Sequence, residues 1–264
     1  MALLEVRGLV KRFVGVTAVD RVDLVVEPGE LVSLIGPNGS GKTTLFNCIT
    51  GYLGADGGRV LFRGRDLTGT APHRVARLGV ARTFQQVSVF PRLSVLENLL
   101  LFLQQHQEEH LLARLLRTPR LRLLEALAVE RAHRLLGLVG LAEKSNAAAG
   151  SLSYGQRKLL AFAGALMSDP DLLLLDEPAA AVNPTMINKL KDHILGLHRL
   201  GKTVVLVEHN MDVVMDISQR VVVLDHGQKI AEGAPKDVMQ NPDVIRAYLG
   251  SGYAHAPADG GPHA

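Results

Sequence analysis

Leu31-Val-Ser-Leu-Ile-Gly36-Pro37-Asn38-Gly39-Ser40-Gly41-Lys42-Thr43-Thr44 is the stretch on which the rest of the chain depends. Leu31 to Ile35 is an apolar run suited to a buried strand, and it enters a glycine-rich turn. Gly36, Gly41, Lys42 and Thr43 meet the phosphate-loop spacing, two glycines separated by four residues and followed by Lys and Ser or Thr. Glycine permits turns that a side chain forbids, so several N–H groups can point into one concavity. A helix opening near Lys42 adds its positive end to the same space. The predicted binding segment runs from Gly36 through Pro37, Asn38, Gly39, Ser40 and Gly41 to Lys42, Thr43 and Thr44. Lys42 would reach the β- and γ-phosphates, and the Thr43 hydroxyl would ligate Mg²⁺. A nucleoside triphosphate is the ligand class this combination fits.

At 264 residues the chain suits one α/β core with a subsidiary lobe better than two full domains. A chain of this size buries about three quarters of its unfolded surface and needs no covalent staples. Its single cysteine, Cys48, cannot form an internal disulfide and reads as a small buried apolar side chain, consistent with a reducing cytoplasm. The net charge of +3 is too small to imply nucleic acid, and the absence of tryptophan disfavours a stacking platform for single strands. Glu5, Arg7, Lys11 and Arg12 interrupt any N-terminal signal pattern. The longest apolar runs, such as Leu99 to Leu103, fall well short of the roughly 18 residues that span a bilayer. Work at a membrane would therefore require another chain to cross it.

Leu3 to Gly8 and Val19 to Glu27 alternate as half-buried strands do, with Lys11 to Gly15 expected as a loop between them. After the helix from Lys42 to about Thr50, strands are expected at Arg59–Phe62 and Gly79–Phe84, with Pro72 opening a short helix between them. Ser94 and Glu97 form a capping box ahead of a helical pattern that runs to about Leu138. Within it, Arg114 to Arg122 is basic and amphipathic, read as a solvated face. This helical block, residues 88–168, reads as a lobe inserted in a β/α rhythm. Asp171 to Asp176 is a short strand whose four leucines lack polar alternation, as in a central strand covered on both faces. A helix follows from Pro184 to roughly Leu200, then strands at Thr203–Val207, Arg220–Leu224 and Lys229–Ala231, the last pair joined at Asp225-His226-Gly227. Residues 251–264 are Gly, Ala, Pro and His with little to bury, so a disordered tail is expected, and His255 and His263 in it make a poor metal site.

Triphosphate hydrolysis needs a phosphate cradle, a metal site, a group that activates water and charge stabilisation at the γ-phosphate. Asp176 ends an apolar strand, where it can hold Mg²⁺. Glu177 follows at the strand's exit, where it can act as general base. His209 lies at another strand end, a position that meets the ligand in open α/β sheets.

The order of phosphate loop, Thr83-Phe84-Gln85, Leu152-Ser-Tyr-Gly-Gln156, Leu174-Leu-Asp176-Glu177-Pro178 and Glu208-His209 resembles the ATP-binding subunits of ABC transporters. The resemblance covers Leu3 to Gly250. Phe46-Asn47-Cys48, Arg82 to Gln85 and Asn241 to Leu249 resemble the branched-chain amino-acid import branch, in particular the larger of its two ATPase subunits.

That resemblance implies a phosphate-loop NTPase core with a mixed central sheet, an N-terminal antiparallel β subdomain and an inserted helical lobe, one ABC-type domain over residues 1–250. It implies ATP and Mg²⁺ as cofactors, with Phe13 stacking on adenine and Gln85 sensing the metal and γ-phosphate. Ser153, Gly155 and Gln156 match the signature loop, which in the family binds ATP held by the opposite subunit; Tyr154 replaces its usual first glycine. Ala181 stands where this branch has glycine, and Asn183 where the wider family has aspartate. The implied partners are a second ATPase subunit (the same chain or a paralogue), two membrane-spanning permease subunits and, indirectly, a solute-binding protein, but no nucleic acid. The implied place is the cytoplasmic face of the membrane. A lipid or lipopolysaccharide exporter ATPase is the close rival, and a soluble non-transport ABC ATPase the distant one. The single phosphate loop and the lack of sustained heptads count against the latter.

Overall fold

A computed structural model of the protein describes residues 1–84, 89–104 and 119–249. Strands β1 (Leu4–Phe13) and β2 (Val16–Val26) form a hairpin that buries Leu4, Val6 and Leu9 against Val22, Leu24 and Val26. Pairing extends to Phe13 opposite Val16, further than the alternating pattern indicated. Register shifts between Val6 and Leu9 and again near Lys11 break the period of two, so the sequence pattern hides the outer half of the hairpin. Lys11 to Phe13, expected in a loop, therefore belong to a strand end.

The apolar run Leu31–Ile35 is β3, buried throughout, and the phosphate-loop segment delivers the chain to α1 (Lys42–Ile49). β4 (Gly57–Phe62) and the two-residue β5 (Arg65–Asp66) complete a four-stranded antiparallel sheet ordered β2-β1-β4-β5. α2 (Pro72–Arg77) opens on its proline, and β6 (Val80–Arg82) is shorter than the expected Gly79–Phe84.

In the helical lobe, α3 (Val95–Gln104) begins at the expected capping box, with Ser94 N–H donating to Glu97 at 2.7 Å and Glu97 N–H donating to Ser94 at 3.1 Å. α4 (Pro119–Leu138) and α5 (Tyr154–Ala165) follow. Residues 114–118 of the basic stretch, Gln85, and the 251–264 tail lie outside the described residues.

β7 (Leu172–Asp176), α6 (Pro184–Arg199), β8 (Thr203–Val207), α7 (Met211–Ile217), β9 (Arg220–Asp225), β10 (Gln228–Gly233), α8 (Pro235–Met239) and α9 (Pro242–Leu249) complete the chain. His226 and Gly227 both take positive φ in the β9–β10 turn, as a two-residue hairpin turn requires. The six-stranded sheet has the order β10-β9-β3-β8-β7-β6, parallel except for the antiparallel edge strand β10.

The leucines of β7 divide between two cores. Leu173 and Leu175 pack with Leu99, Leu136 and Phe162 of the lobe, while Leu172 and Leu174 pack with Leu45 and Phe46 of α1. The fold is thus α/β with a mixed central sheet, an antiparallel N-terminal sheet and a helical lobe inserted between β6 and β7. Adjacent strands β3, β8 and β7 end side by side and lead into Gly36, Glu208 and Glu177 respectively, where open sheets hold their ligands. Among the described residues, no helix is long and apolar enough to cross a membrane.

Candidate active site

The segment after β3 is threaded between two other strands. A Cβ on Gly36 would lie 2.0 Å from the Leu224 carbonyl oxygen, and one on Gly41 would lie 2.2 Å from that of Ala18. Both glycines also take positive φ, so sterics and backbone conformation demand the same residue. Lys42 is buried, and its ammonium donates to the carbonyls of Gly36 and Pro37, each at 2.8 Å, and to Ser40 Oγ at 3.2 Å. Burial lowers its pKa, while the charges of Glu177 and Asp176 raise it. A desolvated cation thus feels the charge of two carboxylates. Thr43 is exposed at the first turn of α1, with Asn38 and Gly39 exposed ahead of it. At the far end of the chain, burial raises the pKa of the Tyr248 phenol against the pull of the Gly36 backbone N–H. No local pattern pointed to this contact.

Asp176 ends β7 buried beside Arg82. The Arg82 Nη2 donates to Asp176 Oδ2 at 2.7 Å, and both side chains are only 4% exposed. Nη1 donates to Asn47 Oδ1 at 2.7 Å and Thr50 Oγ1 at 3.2 Å, and the guanidinium lies against the rings of Phe84 and Phe46. Asp176 N–H donates to Thr83 Oγ1 at 3.3 Å. The strand end leading to Gln85 is therefore tied directly to this aspartate.

Glu177 takes a positive φ of 48°, a conformation few non-glycine residues adopt outside constrained sites. Its Oε1 lies 2.9 Å from His209 Nε2. Behind it, Lys158 of α5 donates to the carbonyls of Glu177 at 2.9 Å, Pro178 at 3.4 Å and Ala180. Glu208, 2% exposed, accepts N–H bonds from Ala179 at 2.7 Å, His209 at 3.1 Å and Asn210 at 3.3 Å. Burial raises its pKa against the pull of those three amides. Lys158 and Glu208 clamp the Glu177–Val182 loop from two sides, and sequence reasoning gave neither a role.

The donor set suits a hard cation shared with a ligand. Thr43 supplies a hydroxyl and Asp176 a carboxylate, and no cluster of three metal-ligating side chains occurs among the described residues. Mg²⁺ favours such sites, with one or two protein oxygens completed by phosphates and water.

Gly155 lines a cavity together with Asp176 and Glu177, while Ser153 and Gln156 are occupied at the start of α5. Ser153 N-caps α5 by accepting from Gln156 N–H, and Gln156 Oε1 accepts from Ser153 N–H and from Lys144. The serine only accepts in this cap, so its hydroxyl proton is available to an outside acceptor. None of these bonds reaches residues 36–44. Tyr154 forms the first turn of an ordinary helix, 43% exposed, with the Lys158 ammonium 5.6 Å from its ring. Phe13, at the end of β1, presents a half-exposed ring. Phe84 stacks edge-on with Tyr52 at 5.3 Å, and both line a cavity of about 120 Å³ with Arg82, Val80 and Phe102.

Residues 19–180 match the ABC transporter family, and residues 228–254 match the branched-chain amino acid ATP-binding cassette transporter family. The chain is 45% identical to the high-affinity branched-chain amino acid transport ATP-binding protein LivG of Escherichia coli (strain K12), over 94% of this chain and 98% of that protein. A solved nucleotide-free ATP-binding cassette from an ABC transporter superposes with a TM-score of 0.83 at 36% identity, covering 95% of this chain and 100% of the other. A dimeric cassette in a post-hydrolysis state, bound to ADP and Pi, superposes at 0.74 with 26% identity, over 88% of this chain and 98% of its own.

Proposed function

The chain belongs to the ABC transporter family, and from that premise we propose that it is the ATP-hydrolysing subunit of an importer for branched-chain or related amino acids. The observation that carries the chemistry is the meeting of Lys42, Asp176 and the Glu177–His209 pair at one end of the sheet. In this reading the 36–44 loop holds the triphosphate and Lys42 leaves its carbonyl partners for the β- and γ-phosphates. Phe13 stacks on the base. Thr43, Asp176 and Gln85 hold Mg²⁺, which supplies charge neutralisation at the transferring phosphoryl group. Glu177 takes the proton of the attacking water and His209 orients that carboxylate, so ATP and water become ADP and phosphate.

Ser153, Gly155 and Gln156, unbonded to residues 36–44 and with a hydroxyl proton to give, suit the γ-phosphate of a second subunit. Two chains, identical or related, would close head to tail on two nucleotides and reopen after hydrolysis, a population shift driven by contacts made only with the triphosphate. The cavity beside Phe84 is the seat we assign to membrane-spanning permease subunits, which place this chain at the cytoplasmic face and link it indirectly to a solute-binding protein. The family match at residues 228–254 favours this reading over lipid export.

The Glu177→Gln variant tests it. With Mg²⁺ present it is expected to retain ATP binding, lose about 10²–10⁴ in turnover and accumulate as a dimer by light scattering. Turnover near that of the unaltered protein would overturn the assignment of the base.

A further inference from the structure

Arg82 is a buried cation for which the reaction above has no use. It is desolvated as fully as its partner, and its Nε is buried with no hydrogen-bond partner, so the pairing with Asp176 is not the by-product of a well-satisfied network. Burying two charges is costly unless each is compensated by the other and by further hydrogen bonds. Here Asn47 and Thr50 supply those bonds on the guanidinium side. The arrangement holds Asp176 by Oδ2 and offsets its charge, leaving Oδ1 as the donor a divalent cation would meet.

We propose that Arg82 is a positioning residue acting through Asp176, which makes the carboxylate a poor metal ligand by itself and a good one only beside a bound triphosphate. The proposal deepens the reading of Asp176 as a metal-site residue and rests on it. The physical reason is charge. A lone dication approaching Asp176 meets a carboxylate already neutralised by Arg82, with the Lys42 ammonium close by. Like charges a few ångströms apart in a partly desolvated site repel strongly until the triphosphate adds its own negative charge. Metal and nucleotide would then load together rather than in either order. The guanidinium also lines the cavity beside Phe84, so a segment seated there bears on the same group.

The test uses the full chain and Mn²⁺ as the probe, with the free ion followed by electron paramagnetic resonance, with and without ATP. Scored as ion retained with the protein on gel filtration, so that Mn²⁺ chelated by free ATP does not count, the unaltered protein is expected to take up Mn²⁺ at least about tenfold more tightly with ATP present. Arg82→Gln should raise nucleotide-free Mn²⁺ affinity about tenfold or more, while Arg82→Lys, which keeps the charge, stays within about threefold. No change in Arg82→Gln, or equal changes in both variants, would overturn the proposal, the second because it would report lost packing rather than lost charge. Asp176→Asn separates the two layers. If it leaves ATP-dependent Mn²⁺ uptake intact, the metal-site reading fails; if it abolishes that uptake while Arg82→Gln changes nothing, only the role of Arg82 fails. Should Arg82→Gln not fold, Arg82→Met takes its place, with the same outcomes supporting or overturning the proposal.

Discussion

Replacing Lys158 by methionine keeps most of the apolar stem of the side chain and removes its charge. The ammonium donates to three carbonyls of the loop that carries Glu177, two of them within good hydrogen-bond range and the third, Pro178, at 3.4 Å. A hydrogen bond involving a charged group contributes about 1.5–3 kcal/mol, so two good ones contribute about 3–6 kcal/mol before desolvation. Part of that is offset because the ammonium is itself desolvated, as its lowered pKa records. A net loss of about 2–3 kcal/mol in the ordering of the loop follows. The amides of Ala180 and Val182, which close turns onto Glu177 and Ala179, report on it directly. At about 1.4 kcal/mol per factor of ten, their hydrogen exchange should speed up roughly 30- to 150-fold in Lys158→Met, with amides of the β1–β2 hairpin unaffected. Exchange at Ala180 and Val182 within about threefold of the unaltered protein would refute the reasoning.

Two further predictions concern the same loop. Glu208 has a folded pKa above its ordinary 4.5, so the stability it contributes is fully present below 4.5 and is lost as pH rises through the folded value. Against Glu208→Gln, the unaltered protein should gain stability as pH falls across that window, measured by urea unfolding; a flat or opposite difference would contradict the burial argument. Ala181 sits at a φ of 56°, which costs an L-residue about 1 kcal/mol that glycine avoids, partly offset by about 0.5 kcal/mol of extra chain entropy when unfolded. Ala181→Gly should therefore stabilise slightly, by about 0.5 kcal/mol, and a loss larger than that in chemical denaturation would show that the strain is illusory.

Sequence was most informative where local chemistry is strongest. The bounds of β8 and the start of α6 agree with the reading because an uninterrupted apolar run and a proline mark them independently of context. β7 begins one residue later than expected, a normal ambiguity at a strand end. The outer half of the N-terminal hairpin was lost to register shifts, and β5 is too short to leave any period. In the site, the groups proposed to carry chemistry stand out in the sequence by type and position, whereas those that hold them do not. Arg82 and Asp176 are 94 residues apart, and Lys158 and Ala180 lie on different elements of the fold. Such pairings arise only when β6 is laid beside β7 and α5 across it, which single-residue patterns do not encode.

The approach of Tyr248 to the Gly36 backbone gives the closing helix a bearing on how this protein is handled. Val244, one turn earlier, packs in the same small core as Ile35, so α9 buttresses the point at which β3 passes into the 36–44 loop. Trimming the chain after its final strand, or fusing a bulky tag hard against Leu249, would disturb that buttress. The set of the 36–44 loop is thereby coupled to the integrity of α9, and a tag at Met1, which is 93% exposed, avoids this liability.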